Sequence, residues 1–205
     1  MKHILDTMRQ FPVMPVLTID DPEYVVPLAR ALYAGGIRIL EITLRTRHGL
    51  SAIRALTEQV PELVVGAGTL MQPEDFFQAR DAGATFGVSP GLTAALVSGA
   101  QHSGLPWLPG VMTPSEVMVA REAGLTALKL FPATAAGGVA MCRAMAGPFP
   151  DVLFCPTGGI TQETYAQFLA CSNVVCVGGS WLTPLDKVNR QDWVGVTEGV
   201  RDVSG

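Results

Sequence analysis

The sequence is short of charge, of lysine, of histidine and of paired cysteines, and each shortage removes a class of function. Charged residues make up 16% of the 205, and the formal net charge is −4. The 14 Lys and Arg residues form no basic block, so no nucleic-acid partner is expected. No apolar run approaches the ~18 residues of a membrane span, and the N-terminal MKHILDTMRQF lacks the apolar stretch of a secretory signal. The three histidines (His3, His48, His102) stand at no metal-ligand spacing. The four cysteines (Cys142, Cys155, Cys171, Cys176) form no CxxC pair and have no nearby histidine. A structural zinc site and a His-based triad are therefore not expected, and no metal is. The cysteines read as reduced, partly buried thiols of a cytoplasmic protein. Low-complexity segments, linkers and charge runs are absent as well.

What is present is a repeated unit. Apolar residues make up 48% of the chain, enough for a large core without staples. A short apolar stretch followed by a helical stretch recurs about every two dozen residues. The apolar stretches begin at Val13, Ile37, Leu63, Thr85, Pro106, Thr126, Val152 and Val174. Amphipathic segments such as 22–33 and 114–123 lie between them. Ala-Gly pairs at 34–35, 82–83 and 123–124 read as helix C-caps feeding the next strand. Eight such units predict an α/β fold, a compact (β/α)8 TIM barrel. It would be one domain over 1–205, with an N-terminal helix before the first strand. The competing architecture is an open doubly wound sheet, but no GxGxxG follows the first strand.

In a barrel the reactive groups belong at the C-terminal strand ends. The stretch Thr126-Ala-Leu-Lys-Leu-Phe-Pro132 carries one of only three lysines. Alternation puts Ala127, Lys129 and Phe131 on one face and the two leucines on the other, toward the helices. Lys129 then points inward, where an ammonium is costly unless it is paired or loses its proton. It is either a structural partner of a buried carboxylate or an amine nucleophile that forms a Schiff base. In Ile37-Arg-Ile-Leu-Glu-Ile-Thr-Leu-Arg45, Glu41, Thr43 and Arg45 share the inward face. Glu41 would lie deep and Arg45 at the mouth, ~13 Å apart along the strand. They form either a buried ion pair with Lys129 or an acid/base beside a nucleophile, with a guanidinium ready for a carboxylate. Small residues in Val64-Val-Gly-Ala-Gly-Thr69 would let a ligand approach the backbone, and Thr69 adds a hydroxyl. Ser89-Pro-Gly91 and Leu108-Pro-Gly110 read as rigid turns around a cavity. Gly158-Gly159 and Gly178-Gly179-Ser180 end the last two strands, where barrels place a phosphate. Backbone N–H groups and a helix N-terminus would cradle the anion. Trp181 reads as packing and His102 as a surface residue.

These motifs together resemble one family, the 2-keto-3-deoxy-6-phosphogluconate (KDPG) and 4-hydroxy-2-oxoglutarate aldolases. The resemblance covers about residues 12–184. It is carried by GIRILEITLRT (36–46), GAGT (66–69), SPG (89–91), LPGVMTPSE (108–116), LKLFPA (128–133), CPTGGI (155–160) and VGGSWL (177–182). It implies that Lys129 is the Schiff-base lysine and Glu41 the acid/base. It implies that Arg45 and Thr69 hold the pyruvyl carboxylate and that Pro90 and Phe131 shape the cavity. Gly158, Gly159, Gly179 and Ser180, with Thr157 close by, would bind phosphate. Thr157 and the Gly-Ser-Trp run favour the gluconate substrate over its galactonate epimer.

The implied enzyme is a class I aldolase, a lyase that needs no cofactor beyond the covalent Schiff base on Lys129. It would split KDPG into pyruvate and glyceraldehyde 3-phosphate, and 4-hydroxy-2-oxoglutarate into pyruvate and glyoxylate. The resemblance also implies a cytoplasmic homotrimer whose partners are a phosphorylated 2-keto acid and pyruvate. Three other readings stay open: an aldolase for the galactonate epimer, another phosphate-binding barrel without imine chemistry, and a non-catalytic sugar-phosphate sensor.

Overall fold

The computed structural model of the chain describes the backbone of residues 2–204 and the side chains of 5–201 and 203. The side chains of Lys2 and His3 and the expected domain limits at 1 and 205 lie outside the described residues. Nine short strands run β1 (Val13–Leu17), β2 (Ile39–Thr43), β3 (Val64–Gly68), β4 (Phe86–Val88), β5 (Trp107–Leu108), β6 (Gly110–Val111), β7 (Ala127–Leu130), β8 (Leu153–Pro156) and β9 (Val177–Gly179). Every pairing is parallel. Six strands form one curled sheet in the order β5-β4-β3-β2-β1-β9, and three form a second in the order β6-β7-β8. Each of the eight predicted apolar stretches supplies a strand. The fifth stretch splits because Pro109 has no N–H to give to a ladder. Its carbonyl still accepts from Lys129 N at 2.8 Å, so β5 pairs with β4 and β6 with β7. Isolated parallel bridges, Phe154 to Val174 and Thr157 to Gly178, link the β8 and β9 segments.

Helices follow the strands: α1 (Lys2–Gln10), α2 (Val25–Ala34), α3 (Gly49–Gln59), α4 (Pro73–Asp81), α5 (Ala94–Ser103), α6 (Pro114–Glu122), α7 (Gly138–Ala146), α8 (Tyr165–Leu169), α9 (Leu185–Asn189) and α10 (Trp193–Ser204). The predicted helix from Pro22 begins as a 3-10 turn, Pro22–Tyr24, capped by the Asp21 carboxylate. Helix α6 starts at a capping box: Thr113 Oγ1 accepts from Glu116 N, and Glu116 Oε2 accepts from the Met112 and Thr113 N–H groups. Two of the three Ala-Gly caps hold, with Gly83 and Gly124 at positive φ. At the first, the left-handed residue is Gly36, and Gly35 is right-handed. A Cβ on Gly35 would meet Val200 and the Thr197 carbonyl, so this glycine lets α10 approach α2.

The core has two parts, set by strand alternation. The larger cluster joins Leu40, Ile42, Val65, Ala67, Leu128, Leu130 and Phe154 to apolar faces of the helices. The smaller lies on the other, inner face: Met14, Ile39, Phe86, Val88, Leu108, Ala127, Cys155 and Cys176, closed by Met8 of α1. Helix α1 therefore seals the N-terminal end of the inner face, a role that its short sequence did not announce. All four cysteines are buried free thiols. Burial pushes the Cys142 thiol up to about 12, with Cys171 nearby adding to the shift. Burial and the adjoining Cys155 likewise raise Cys176.

Candidate active site

Of the three charged residues expected to face inward, Lys129 and Glu41 do so, and they meet. Lys129 Nζ stands 3.4 Å from both Glu41 oxygens, with side-chain exposures of 5% and 1%. The contact joins β2 to β7, 88 positions apart in the chain. At 3.4 Å it is longer than the 2.7–2.9 Å of a tight charge-assisted bond. A buried ion pair stabilises little on balance, because desolvation offsets the attraction. Its position therefore asks for a chemical reason. Lys129 Nζ also lies 5.2 Å from the Phe131 ring centroid.

Phe131 borders the main cavity, about 580 Å3, at the C-terminal ends of the strands. Seven of the expected site residues line it: Arg45, Phe131, Thr157, Gly158, Gly159, Gly179 and Ser180. The N–H groups of Gly158, Gly159 and Ser180 find no acceptor among the described residues. Gly158 and Gly159 hold positive φ (103° and 76°), and a Cβ on Gly159 would press on Thr134. Arg45 makes no ion pair among the described residues and is exposed. The loop that carries it is pinned by Thr46 Oγ1 donating to the Ile19 carbonyl at 2.6 Å. The cavity lining thus offers both a guanidinium with no ion pair and turn N–H donors with no acceptor among the described residues, groups suited to anionic ligand atoms.

This architecture has known relatives. The family model of the KDPG and KHG aldolases matches residues 4–198. A 2-dehydro-3-deoxy-phosphogluconate aldolase of Pseudomonas aeruginosa is 50% identical over 193 residues, 94% of this chain and 88% of that protein. The chain belongs to the KDPG and KHG aldolase family. A KHG/KDPG aldolase of Escherichia coli K12 is 47% identical over 93% of this chain and 90% of its own length. The KDPG aldolase of Legionella pneumophila, solved with pyruvate captured as a covalent carbinolamine, superposes with a TM-score of 0.95. It is 43% identical, and 98% of each chain is covered.

Within this family member several expectations need correction. Arg45 is not on the strand, because β2 ends at Thr43 and Arg45 sits in the following turn. Thr69 and Pro90, like Lys129 and Glu41 themselves, are not among the residues that line the cavity. Thr69 holds a left-handed φ of 65° just past β3, and the Pro90 carbonyl packs where a Cβ of Gly110 would go. The small residues of β3 do not admit a ligand either. A Cβ on Gly68 would overlap the Glu41 carboxylate, and one on Gly66 the Phe86 ring. Gly68 is the space in which Glu41 reaches Lys129. Helix α8 begins at Tyr165 and α9 at Leu185; neither residue lines the main cavity, but Leu185 lines the adjoining one together with Ser180. Gly178 and Gly179 also do packing work, beside Thr157 and the Trp181 ring.

Other residues escaped the sequence reading. Val16, Thr18, Pro132, Thr134, Ala135 and Ile160 also line the cavity. Pro132 and Ile160 lie inside the recognised motifs LKLFPA and CPTGGI, and Thr134 and Ala135 directly follow the first, so these four could have been found by reading each motif past its strand. Ser89 acts through its hydroxyl, which accepts from Trp107 Nε1 at 3.0 Å and donates to the Gly91 carbonyl at 2.6 Å, fixing the Ser-Pro-Gly turn. His102 is exposed in the last turn of α5, as expected. Trp181 stacks on Tyr165, a packing role.

Proposed function

We propose that this chain is a class I aldolase that cleaves KDPG to pyruvate and glyceraldehyde 3-phosphate, and 4-hydroxy-2-oxoglutarate to pyruvate and glyoxylate. The observation that carries the reading is the buried Lys129–Glu41 pair beside a cavity lined by the Arg45 guanidinium and by turn N–H donors with no acceptor among the described residues. In the proposed reaction Lys129 Nζ, as free amine, adds to the C2 carbonyl of the keto acid, and Glu41 gives and takes the protons. Water leaves, and the carbinolamine becomes an iminium. The C4 hydroxyl then gives its proton to a water held by Glu41. The electrons of the C3–C4 bond flow to the iminium nitrogen, so an aldehyde departs and an enamine remains. Glu41 returns a proton to C3 through the same water. Hydrolysis then releases pyruvate and the free amine. The iminium does the polarising, so the sequence of steps calls on no metal or other cofactor.

Arg45 would bind the carboxylate, with Thr69 as a secondary support on the rim. Phe131 would wall the reacting carbons, and Pro90 would shape the turn behind them. Thr157, Gly158, Gly159, Gly179 and Ser180 would form the phosphate site. Preference for the gluconate over the galactonate substrate is supported by the names of the relatives at 47–50% identity. A sensor would keep the anion sites, but it has no use for an amine buried against a carboxylate.

The same reading treats the chain as a single domain and the two sheets as one closed eight-stranded barrel. Strands β5 and β6 would be one strand broken at Pro109, and the Phe154–Val174 and Thr157–Gly178 bridges would join the remaining edges. It also includes a cytoplasmic homotrimer. Among the described residues no helix is long and apolar enough to cross a membrane.

The test is release of pyruvate from KDPG by the purified chain, followed through a coupled dehydrogenase. Saturable release is expected, and Ser180→Ala should raise the Michaelis constant more for KDPG than for the unphosphorylated substrate. A folded protein that releases no pyruvate from either substrate would refute the function.

A further inference from the structure

Thr18 lies one residue beyond β1 and lines the main cavity, yet none of the steps above uses it. It also lines a second cavity of about 390 Å3, which shares Val16, Thr18, Arg45 and Ser180 with the first. Strand β1 stands between β2 and β9 in the sheet. Thr18 is thus flanked by Arg45 beyond β2 and by Ser180 beyond β9, between the two proposed anion sites. Its hydroxyl is held: Thr18 Oγ1 is 2.9 Å from Thr43 Oγ1. Thr43 is fully buried, one inward step past Glu41, and its hydroxyl has no other partner among the described residues.

That pairing fixes the direction of the hydrogen bond. Two hydroxyls carry two protons, and only one is used between them. If Thr18 donated, the Thr43 proton would be left buried without an acceptor, a costly state. Thr43 therefore donates, and the exposed Thr18 hydroxyl keeps its own proton for the cavity. A polar donor is aimed at the middle of a ligand whose ends are held elsewhere.

We propose that Thr18 is a specificity-determining residue whose hydroxyl, oriented by Thr43, hydrogen-bonds the C5 hydroxyl of the sugar-acid chain. The assignment rests on the aldolase reading above. In KDPG the carboxylate is C1 and the phosphate is on C6, so the hydroxyls at C4 and C5 lie between the two anchors. The C4 hydroxyl gives its proton to the Glu41 water during cleavage. The C5 hydroxyl takes no part in the bond changes and is the group left for a side-wall donor. Pyruvate has neither hydroxyl, so its imine does not depend on Thr18.

The experiment is a cycle between enzyme and substrate variants. Thr18→Val keeps the shape and removes the hydroxyl; it also takes the acceptor from the buried Thr43 hydroxyl, so its unfolding midpoint should fall by a few degrees, and the kinetics are measured well below that midpoint. With KDPG, kcat/KM should fall about tenfold, chiefly through KM, the loss expected for one hydrogen bond to substrate. Borohydride trapping of the pyruvate adduct should proceed at the parent rate. The 5-deoxy analogue of KDPG should be cleaved more slowly by the parent, with no further loss in Thr18→Val. Thr18→Ser should recover most of the loss. A Thr18→Val enzyme that equals the parent on KDPG, or loses as much again on the 5-deoxy analogue, overturns the assignment and leaves the aldolase reading standing. A parent that releases no pyruvate from KDPG defeats the aldolase reading and the assignment with it.

Discussion

Follow β1, β2, β7 or β8 along its inner face and the character of the side chains changes within a few residues. On β2, Ile39 belongs to the apolar inner cluster, and the next inward positions are Glu41 and Thr43. On β7, Ala127 is followed by Lys129; on β8, Cys155 is followed by Thr157. On β1, Met14 gives way to Val16 and then to Thr18 at the cavity. The N-terminal half of the inner face is a sealed plug with α1 across it, and the C-terminal half is a polar chamber. Both halves use the same strands and the same alternation. Stability is therefore concentrated in one layer, and the cost of burying charge is confined to the next. A reactive pair can be rigid without a loop to hold it, because the apolar layer beneath fixes the strands that carry it.

The contrast can be broken most severely in the chamber. Lys129→Ala should lower turnover by at least about 10^3-fold, since it removes the proposed Schiff-base amine. It should also destabilise the fold by roughly 3–5 kcal/mol, because Glu41 is left buried and uncompensated. Lys129→Met combined with Glu41→Gln should regain most of that stability and none of the activity, measured by denaturant unfolding beside the pyruvate assay. In the plug the pattern should invert. Phe86→Ala should cost roughly 3–5 kcal/mol through the cavity it leaves, yet the pyruvate adduct should still form well below the lowered melting temperature. Loss of the adduct under those conditions would mean that the layers are not separable. At the rim, Arg45→Ala should raise the Michaelis constant about 10- to 100-fold with little change in the unfolding midpoint, since this exposed side chain has no ion pair to lose.

The smallest effect should come from outside both layers. Burial raises the Glu116 pKa, but hydrogen bonds from the Met112 and Thr113 N–H groups and the Thr113 hydroxyl outweigh it, leaving the carboxyl below its ordinary 4.5. A lowered pKa in the folded state gives stability that is present above 4.5 and lost as pH falls through the folded value. Glu116→Gln should cost about 1 kcal/mol at neutral pH, flatten this acid limb, and leave kcat unchanged. A pH-independent loss would remove the carboxylate from the account of the α6 cap.

The legibility of the sequence followed the same division. Alternation alone placed Glu41 and Lys129 inward and the leucines outward, because a strand has one period and the charges broke it. Their meeting across β2 and β7 depended on strands far apart in sequence, so the residues suggested the pair without showing the contact. The glycines of β3 were misread because their neighbours, the Glu41 carboxylate and the Phe86 ring, come from other strands. The glycine pairs near the last strand ends were legible as part of a cavity wall, since Gly158, Gly159, Gly179 and Ser180 line it, but which helix starts near them depended on the fold. Met8 and Thr18 carried no local signal: one is an ordinary residue of a short helix, the other the end of an apolar strand. What each touches is decided by the curl of the sheet.

The most direct test of the central claim is borohydride reduction in the presence of pyruvate, followed by peptide mass mapping. The account predicts one reduced pyruvyl adduct, on the peptide containing Lys129, and its absence in Lys129→Ala. A folded protein with no adduct, or with the adduct on Lys2 or Lys187, would contradict it.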